Sequence, residues 1–323
     1  MTTLARIATV CQNGEFYPTV EQNRDHILRL LDLTLAHRPD LVCLPETFTT
    51  SGGAADLCEP VPGPTTDIVS KKSKEHRCYI ICPIKTARDG QLWNSAVIVG
   101  RDGEIAGIYD KVHPVTTSPD YTVMENGLTP GPTPPPVFDL NFGRVGVQIC
   151  FDAGFPESWQ ALADQGARLV FWPSAYNGGF PLQVYAYLHH FYVVSSVHTD
   201  SSRIIDPLGQ IIQRTDQRLN VIYRDINLDY CVSHWDFNYS IPDQIMARYG
   251  ERVEIRSDRD SAHFLVEPRD DSITVAHLQQ EFGFESTAQY HRRHRETYPA
   301  LRAGEKPVPQ SAGHGNRPQY RRW

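Results

Sequence analysis

The sequence predicts an α/β layered domain, a mixed sheet covered by helices, followed by a C-terminal extension. Three observations carry that prediction. Short apolar runs bounded by turn residues alternate with amphipathic stretches of about 10 to 15 residues. Two pairs of runs are joined by tight turns, so part of the sheet pairs locally while the rest needs helical crossovers. The 323 residues are 40% apolar and 21% charged, a composition that excludes disorder, collagen and coiled coil. A chain of this length buries roughly three quarters of its unfolded surface.

Taken in order, Leu4 to Val10 reads as a strand. Asn23 to His37 reads as a helix, with Ile27, Leu28, Leu31 and Leu35 on one face. Asp40 to Leu44 is a short strand, apolar after its first residue, as expected when both faces of a sheet are covered. A helix from Thr66 to His76 leads into a buried strand, Cys78 to Ile84. Asn94 to Gly100 and Glu104 to Lys111 flank Arg101-Asp102-Gly103, whose Asp-Gly supplies the positive φ of a hairpin turn. The strand Gly143 to Ile149, the helix Pro156 to Gln165 and the strands Arg168 to Trp172 and Phe191 to Val197 follow. A second hairpin, Ser202 to Ile205 and Gln210 to Arg214, closes on Asp206-Pro207-Leu208-Gly209. The run TPGPTPPP at 129 to 136 is a stiff exposed loop, since strand chemistry resumes at Val137-Phe138. Composition shifts near residue 240, which divides the chain into a domain at 1–240 and an extension at 241–323. The extension holds one helical stretch, Val275 to His294, and a loose end from 311.

Charge narrows the partners. The formal net charge of −7 combines a +6 balance over 286–323, from Arg292, Arg293, Arg295, Arg302, Lys306, Arg317, Arg321 and Arg322 against Glu296 and Glu305, with −13 elsewhere. An acidic body is a poor host for nucleic acid. The basic tail lacks interleaved aromatics and reads as a solvated or subunit-contacting arm. No apolar run approaches the ~18 residues of a membrane helix, and MTTLARIATVCQ has no secretory pattern. The seven cysteines fit a reduced, cytosolic protein; Cys78 and Cys82 read as buried thiols rather than metal ligands.

Four residues stand where the local pattern does not require them. Glu46 follows the buried strand LVCLP at its C-terminal end, where open α/β sheets present catalytic groups. Lys111 ends the first hairpin, in YDKVHP. Glu125 lies in the connection after it, in MENGLTPG. Cys150 ends the strand GRVGVQIC, and FDAGFPE turns into a helix. Each has an ordinary structural explanation alone: a cap, a solvated charge, a core thiol. Together Glu, Lys and Cys are the parts of an acyl-transfer site, with a thiol nucleophile, a carboxylate base and positive charge for the oxyanion.

Those segments resemble the nitrilase, or carbon–nitrogen hydrolase, superfamily. The resemblance is carried by LVCLPETF, NSAVIVGRDGEIAGIYDKVHP, GRVGVQICFDAGFPES, LVFWPSAY, SSRIIDPLGQIIQRT and EPVPGPTTD, and runs from about residue 4 to 228. It implies an α-β-β-α sandwich that pairs with a second subunit, in a homodimer or larger even-numbered oligomer, with the extension clasping a neighbour. It also implies a triad of Glu46 as base, Lys111 for the intermediate and Cys150 as nucleophile, with Glu125 positioning substrate and lysine. Phe151, Asp152, Trp172 and Tyr176 are expected near the substrate. The implied reaction cleaves a small-molecule amide or N-carbamoyl bond through a thioester, with no metal and no cofactor.

Within the superfamily, Phe151-Asp152 after the nucleophile resembles the amidase and carbamoylase branches rather than the Trp-Glu of true nitrilases. Ala153-Gly154 replaces a basic residue that could hold a substrate carboxylate, which disfavours small acidic substrates. The absence of a following synthetase domain disfavours a glutaminase module. Other readings are a true nitrilase, a silent scaffold member and a metal amidohydrolase. The scaffold is disfavoured because every triad position holds a competent residue. The metal enzyme is disfavoured because the adjacent His189-His190 cannot both face one ion.

Overall fold

In the first strand, β1 (Leu4–Val10), the side chains from Ile7 onward are all buried and alternate between two environments, and this alternation builds the molecule outward in layers. Ala8 and Val10 face a helix layer together with Val42, Leu44, Ile80, Cys82, Val97 and Val99. Thr9 points the other way, and its hydroxyl donates to the Ser195 carbonyl of a second sheet at 2.7 Å. The computed structural model describes residues 3–50, 57–258 and 260–310. It divides into two compact units, Ala5 to Ile226 and Asn227 onward.

In the first unit, β1 is followed by α1 (Val20–Leu35), β2 (Leu41–Cys43), α2 (Pro64–His76), β3 (Tyr79–Arg88), β4 (Gln91–Val99) and β5 (Ile105–Asp110). Next come β6 (Val137–Leu140), β7 (Gly143–Val147), α3 (Pro156–Asp164), β8 (Leu169–Ser174), α4 (Phe180–His189), β9 (Tyr192–Val197), β10 (Arg203–Ile205), β11 (Ile211–Arg214) and β12 (Val221–Asn227). One sheet has the order β12-β1-β2-β3-β4-β5 and the other β11-β10-β9-β8-β7-β6. Each is mixed. β1, β2 and β3 run parallel, as do β7, β8 and β9, and the hairpin strands close each sheet antiparallel. Helices α1 and α2 cover the first sheet through Ile27, Leu31, Leu35 and Val69. Helices α3 and α4 cover the second through Trp159, Leu162, Leu182 and Ala186. Between the sheets Ser196 donates to the carbonyls of Val10 and Cys43. The layers are α-β-β-α.

Two local differences from the sequence reading have simple causes. The strand expected at 78–84 continues to Arg88 because Asp89-Gly90, with φ of 52° and 75°, forms a further hairpin turn that pairs Arg88 with Gln91. This is the same Asp-Gly signal that marks the turn at 102–103. Helix α4 was not anticipated; its sequence FPLQVYAYLH is nearly apolar throughout and shows no clear period.

The second unit carries β13 (Cys231–His234), α5 (Ile241–Tyr249), β14 (Val253–Asp258), β15 (His263–Pro268), α6 (Val275–Phe282) and α7 (Thr287–Arg302). The division falls at 226/227 rather than near 240, because β13 pairs with β15 in the antiparallel sheet β13-β15-β14. The unit has its own core of Ile241, Ile245, Phe264, Val266, Leu278 and Phe282. The helical stretch expected at 275–294 is two helices. Gly283 ends α6 at φ 64°, and Ser286 and Gln289 begin α7 with a reciprocal capping box. Residues 311–323, with Arg317, Arg321 and Arg322, lie outside the described residues. Among those that are described, no helix is long and apolar enough to cross a membrane.

Candidate active site

Glu46 stands three residues beyond the end of β2, in the turn Leu44-Pro45-Glu46-Thr47. Leu44 is anchored by its N–H on the Ile81 carbonyl at 3.1 Å, and Thr47 turns the chain away with φ 40°. The glutamate is 4% exposed. Its Oε1 accepts from Asn94 Nδ2 at 2.8 Å and from Lys111 Nζ at 3.2 Å, and its Oε2 accepts from the Ala175 N–H at 2.9 Å. The His198 ring meets its backbone carbonyl. Burial raises the affinity of this carboxyl for its proton, but Lys111, the Asn94 bond and His198 together outweigh burial and hold it below the ordinary carboxylate range.

Lys111 leaves the end of β5 with its N–H on the Asn94 carbonyl at 2.8 Å, and is 2% exposed. Its ammonium also donates to Glu125 Oε1. Burial favours the neutral amine, yet Glu46, Cys150 and Glu125 surround it and raise its pKa above that of an ordinary lysine. Glu125 is fixed in turn by its N–H on the Val115 carbonyl at 2.7 Å and by the Val115 N–H on Oε1 at 3.1 Å.

Cys150 sits three residues past the end of β7, at the start of the tight helical turn Cys150–Gly154, with φ 48°. A left-handed conformation at a non-glycine residue costs roughly 1 kcal/mol and persists only where neighbours enforce it. Here Trp172 Nε1 holds the Cys150 carbonyl at 3.1 Å, and Asp152 Oδ2 accepts the Ile149 N–H at 2.8 Å. Burial and the nearby Glu46 push the thiol up to about 12, while Lys111, Ser174 and the Ala175 N–H pull it down. The same Ala175 N–H thus serves both Glu46 and the sulfur.

The four residues singled out in the sequence therefore converge, Lys111 being bonded to both glutamates and electrostatically coupled to the thiol. The four expected near the substrate divide. Phe151 and Tyr176 are 42% and 46% exposed, and the Tyr176 phenol feels Cys150, Glu46 and Lys111. Asp152 and Trp172 are fully buried. Asp152 is saturated by the Tyr109 hydroxyl at 2.6 Å, Ile149 N–H at 2.8 Å, and His113 N–H and Nδ1, each at 2.9 Å. Trp172 belongs to the core and donates to the Cys150 carbonyl. Sequence reading missed Asn94, His198 and Ala175. Asn94 could have been noticed as a polar residue opening the run NSAVIV, otherwise apolar after Ser95.

Residues 6–234 match the model of the carbon-nitrogen hydrolase family. The chain belongs to that family. It is 28% identical over 213 residues to omega-amidase NIT2 of Mus musculus, covering 58% of this chain and 77% of that protein. It is 30% identical over 184 residues to beta-ureidopropionase of Arabidopsis thaliana, covering 52% of this chain and 45% of that protein, so it spans less than half of that relative. In fold it resembles the carbon–nitrogen hydrolase of Helicobacter pylori G27, with TM-score 0.62, 19% identity and coverage of 70% and 90%. It also resembles an amidase from Nesterenkonia sp., with TM-score 0.59, 22% identity and coverage of 69% and 90%. A variant of that amidase carries acrylamide on its active site cysteine. The layered first unit of this carbon–nitrogen hydrolase is the nitrilase-type sandwich.

Proposed function

We propose that this carbon–nitrogen hydrolase cleaves linear amides or N-carbamoyl compounds through a thioester on Cys150. The observation that carries the reading is the buried Lys111 ammonium bonded to both Glu46 and Glu125 beside the Cys150 thiol. The relatives named omega-amidase and beta-ureidopropionase support the bond class.

The resting pair is a protonated thiol and an ionised carboxylate, so the nucleophile is made during attack rather than beforehand. As Cys150 Sγ bonds to the substrate carbonyl carbon, its proton passes to Glu46. The carbonyl oxygen becomes an oxyanion, met by the Lys111 ammonium and the Phe151 N–H. Glu46 returns the proton to the leaving nitrogen, the C–N bond breaks, and ammonia or amine departs. Water then attacks the thioester carbon, giving its proton to Glu46. The C–S bond breaks, and the proton returns to sulfur as the acid leaves. Glu125 keeps Lys111 aimed at the oxyanion. Phe151 and Tyr176 form the exposed apolar wall against which the substrate lies.

The reading extends to assembly and compartment. An acidic body with an exposed basic α7 supports a homodimer or larger even-numbered oligomer in which residues 241–323 contact a neighbour. Seven free cysteines support a reducing, cytosolic setting.

Ammonia release from simple amides, N-carbamoyl amino acids and nitriles, with Cys150→Ala alongside, tests the reaction. Release from amides or carbamoyl compounds that vanishes in the variant is expected. Activity confined to nitriles would move the chain to the nitrilase branch. Release that persists in Cys150→Ala would remove the thioester.

A further inference from the structure

Asn94 is the fourth residue of β4, buried, and in contact with three members of the site at once. Its backbone carbonyl receives the Lys111 N–H at 2.8 Å. Its side-chain Nδ2 donates to Glu46 Oε1 at 2.8 Å and to Glu125 Oε2 at 3.3 Å. One amide therefore uses its NH2 group on two different carboxylates. The opposite orientation of the amide would set its oxygen against both of them, so the chemistry of the neighbours decides which end points inward. The Asn94 Oδ1 atom is buried with no hydrogen-bond partner among the described residues. An acceptor left unpaired in a buried site is unfavourable, so the carboxylates, not the surroundings of the oxygen, fix this side chain.

The site needs such a bridge. Two carboxylates face one ammonium, and like charges sharing a site drive a proton onto one of them. The groups facing Glu46 are Lys111 from the end of β5, Asn94 from β4, Ala175 from the end of β8, His198 after β9, and Cys150 and Tyr176. Those facing Glu125 are Lys111, Asn94 and the Val115 N–H. Asn94 is the neutral donor common to both.

We propose that Asn94 is a positioning residue, whose side-chain NH2 group holds Glu46 and Glu125 together around Lys111 so that Glu46 remains the open acceptor for the Cys150 proton. This rests on Glu46 acting as the base in the reaction above. Lys111 alone cannot do the same work. Its ammonium balances one negative charge, and among the described residues Asn94 is an uncharged donor that reaches both carboxylates.

The test needs no substrate. The rate at which iodoacetamide alkylates Cys150, followed by mass spectrometry as a function of pH, reports the fraction of enzyme in which Glu46 can accept the thiol proton. In Asn94→Leu, which keeps the volume and removes the donors, the acid limb of that profile is expected to move up by about one pH unit. In Asn94→Asp, which adds a third carboxyl group, it is expected to move up further. A purely structural role would lower the rate at every pH and leave the limb in place, and that result would overturn the inference. Asn94→Asp, nearly identical in shape, decides the matter should the leucine variant fold poorly. Glu46→Gln separates the two claims. If it leaves the wild-type acid limb intact, Glu46 is not the base and the reaction reading falls. If it abolishes the limb while both Asn94 variants keep it unmoved, only the role of Asn94 falls.

Discussion

The Tyr109 hydroxyl donates to Asp152 Oδ2 across 2.6 Å, with neither side chain exposed. Tyr109 lies two residues before Lys111 on the first sheet, and Asp152 two residues after Cys150 beyond the second. The bond therefore joins the strand that leads to Lys111 in one sheet to the turn that follows Cys150 beyond the other. Burial and the neighbouring Asp152 raise the phenol well above its usual range, so it stays a donor. Asp152 also grips His113, whose ring stacks on Phe155 at 3.6 Å and 4° between planes.

Tyr109→Phe removes that hydroxyl and leaves one Asp152 oxygen short of a donor. A loss of about 1–3 kcal/mol in unfolding free energy is expected from urea denaturation, together with slower alkylation of Cys150. Asp152→Ala, which orphans several donors at once, should lose more. Unchanged stability in both variants would show that the turn at 150–154 is held by packing alone.

The pH dependence follows from opposite displacements. Glu46 is held below the ordinary carboxylate range, while the Cys150 thiol is pushed up to about 12. Activity should therefore be lost only as pH falls through the depressed Glu46 value. It should stay flat through neutral pH, with no step near ~8.5, where a free cysteine ionises. Stability carries the same sign. The Glu46 contribution is present above its unfolded value and lost as pH falls through the folded one. The Lys111 contribution, from a raised value, is present below its unfolded value and lost only in strong alkali. Glu46→Gln should lower kcat by about 10²–10⁴-fold. A rate step near pH 8.5 in the wild type would mean that the thiolate forms on its own.

Most strands of the first unit and helices α1 to α3 could be read from local sequence, because each rests on short-range pattern, apolar runs and turn residues; the grouping of Glu46, Lys111 and Cys150 came instead from the family resemblance. What could not be read was long-range. Asn94, His198 and Ala175 serve the site only because the sheets bring them within bonding distance of Glu46, and no spacing in the chain announces that. The direction in which Asp152 turns could not be read either, because adjacency to Cys150 says nothing about side-chain direction. At φ 48° the backbone reverses at Cys150 and sends Asp152 into the interior. The fold of residues 227–310 was hidden by polarity. Its core is built from well-separated apolar residues such as Ile241, Phe264 and Leu278, on elements too short to show a period.

Gly131, in the proline-rich loop, straps the strand end that carries Lys111. Its N–H donates to the Lys111 carbonyl at 2.8 Å, and a Cβ there would lie 2.1 Å from the Asp110 carbonyl oxygen and 3.1 Å from that of Lys111. Both obstacles are backbone, so the loop or the strand end must move. Gly131→Ala is expected to cost roughly 1–3 kcal/mol and to lower kcat more than it raises KM, since the displaced group is Lys111. Wild-type kinetics and thermal stability in this variant would show that the loop yields without disturbing the strand.

Helix α7 supplies the test of assembly. It runs sixteen residues yet buries only Thr287. Tyr290 stacks on His234 at 3.7 Å and bonds Asp236 at 3.0 Å, Gln289 reaches Gln279 at 3.3 Å, and Arg293 pairs with Glu285. A helix of this length is marginal in water without a covered face, and Tyr298 and Leu301 stand exposed toward its end. If a neighbouring subunit covers that face, a chain ending at Glu285 should sediment as a smaller species than the full chain. The loss of monomer stability should be modest, because so little of the core is removed. On the same reading, raising salt to about 0.5 M should weaken assembly of the full chain, since the basic α7 would meet an acidic neighbour and exposed charges are screened within a few ångströms at that strength. Equal sedimentation and equal melting temperature for the two chains would assign α7 to solvent and place the subunit contact elsewhere.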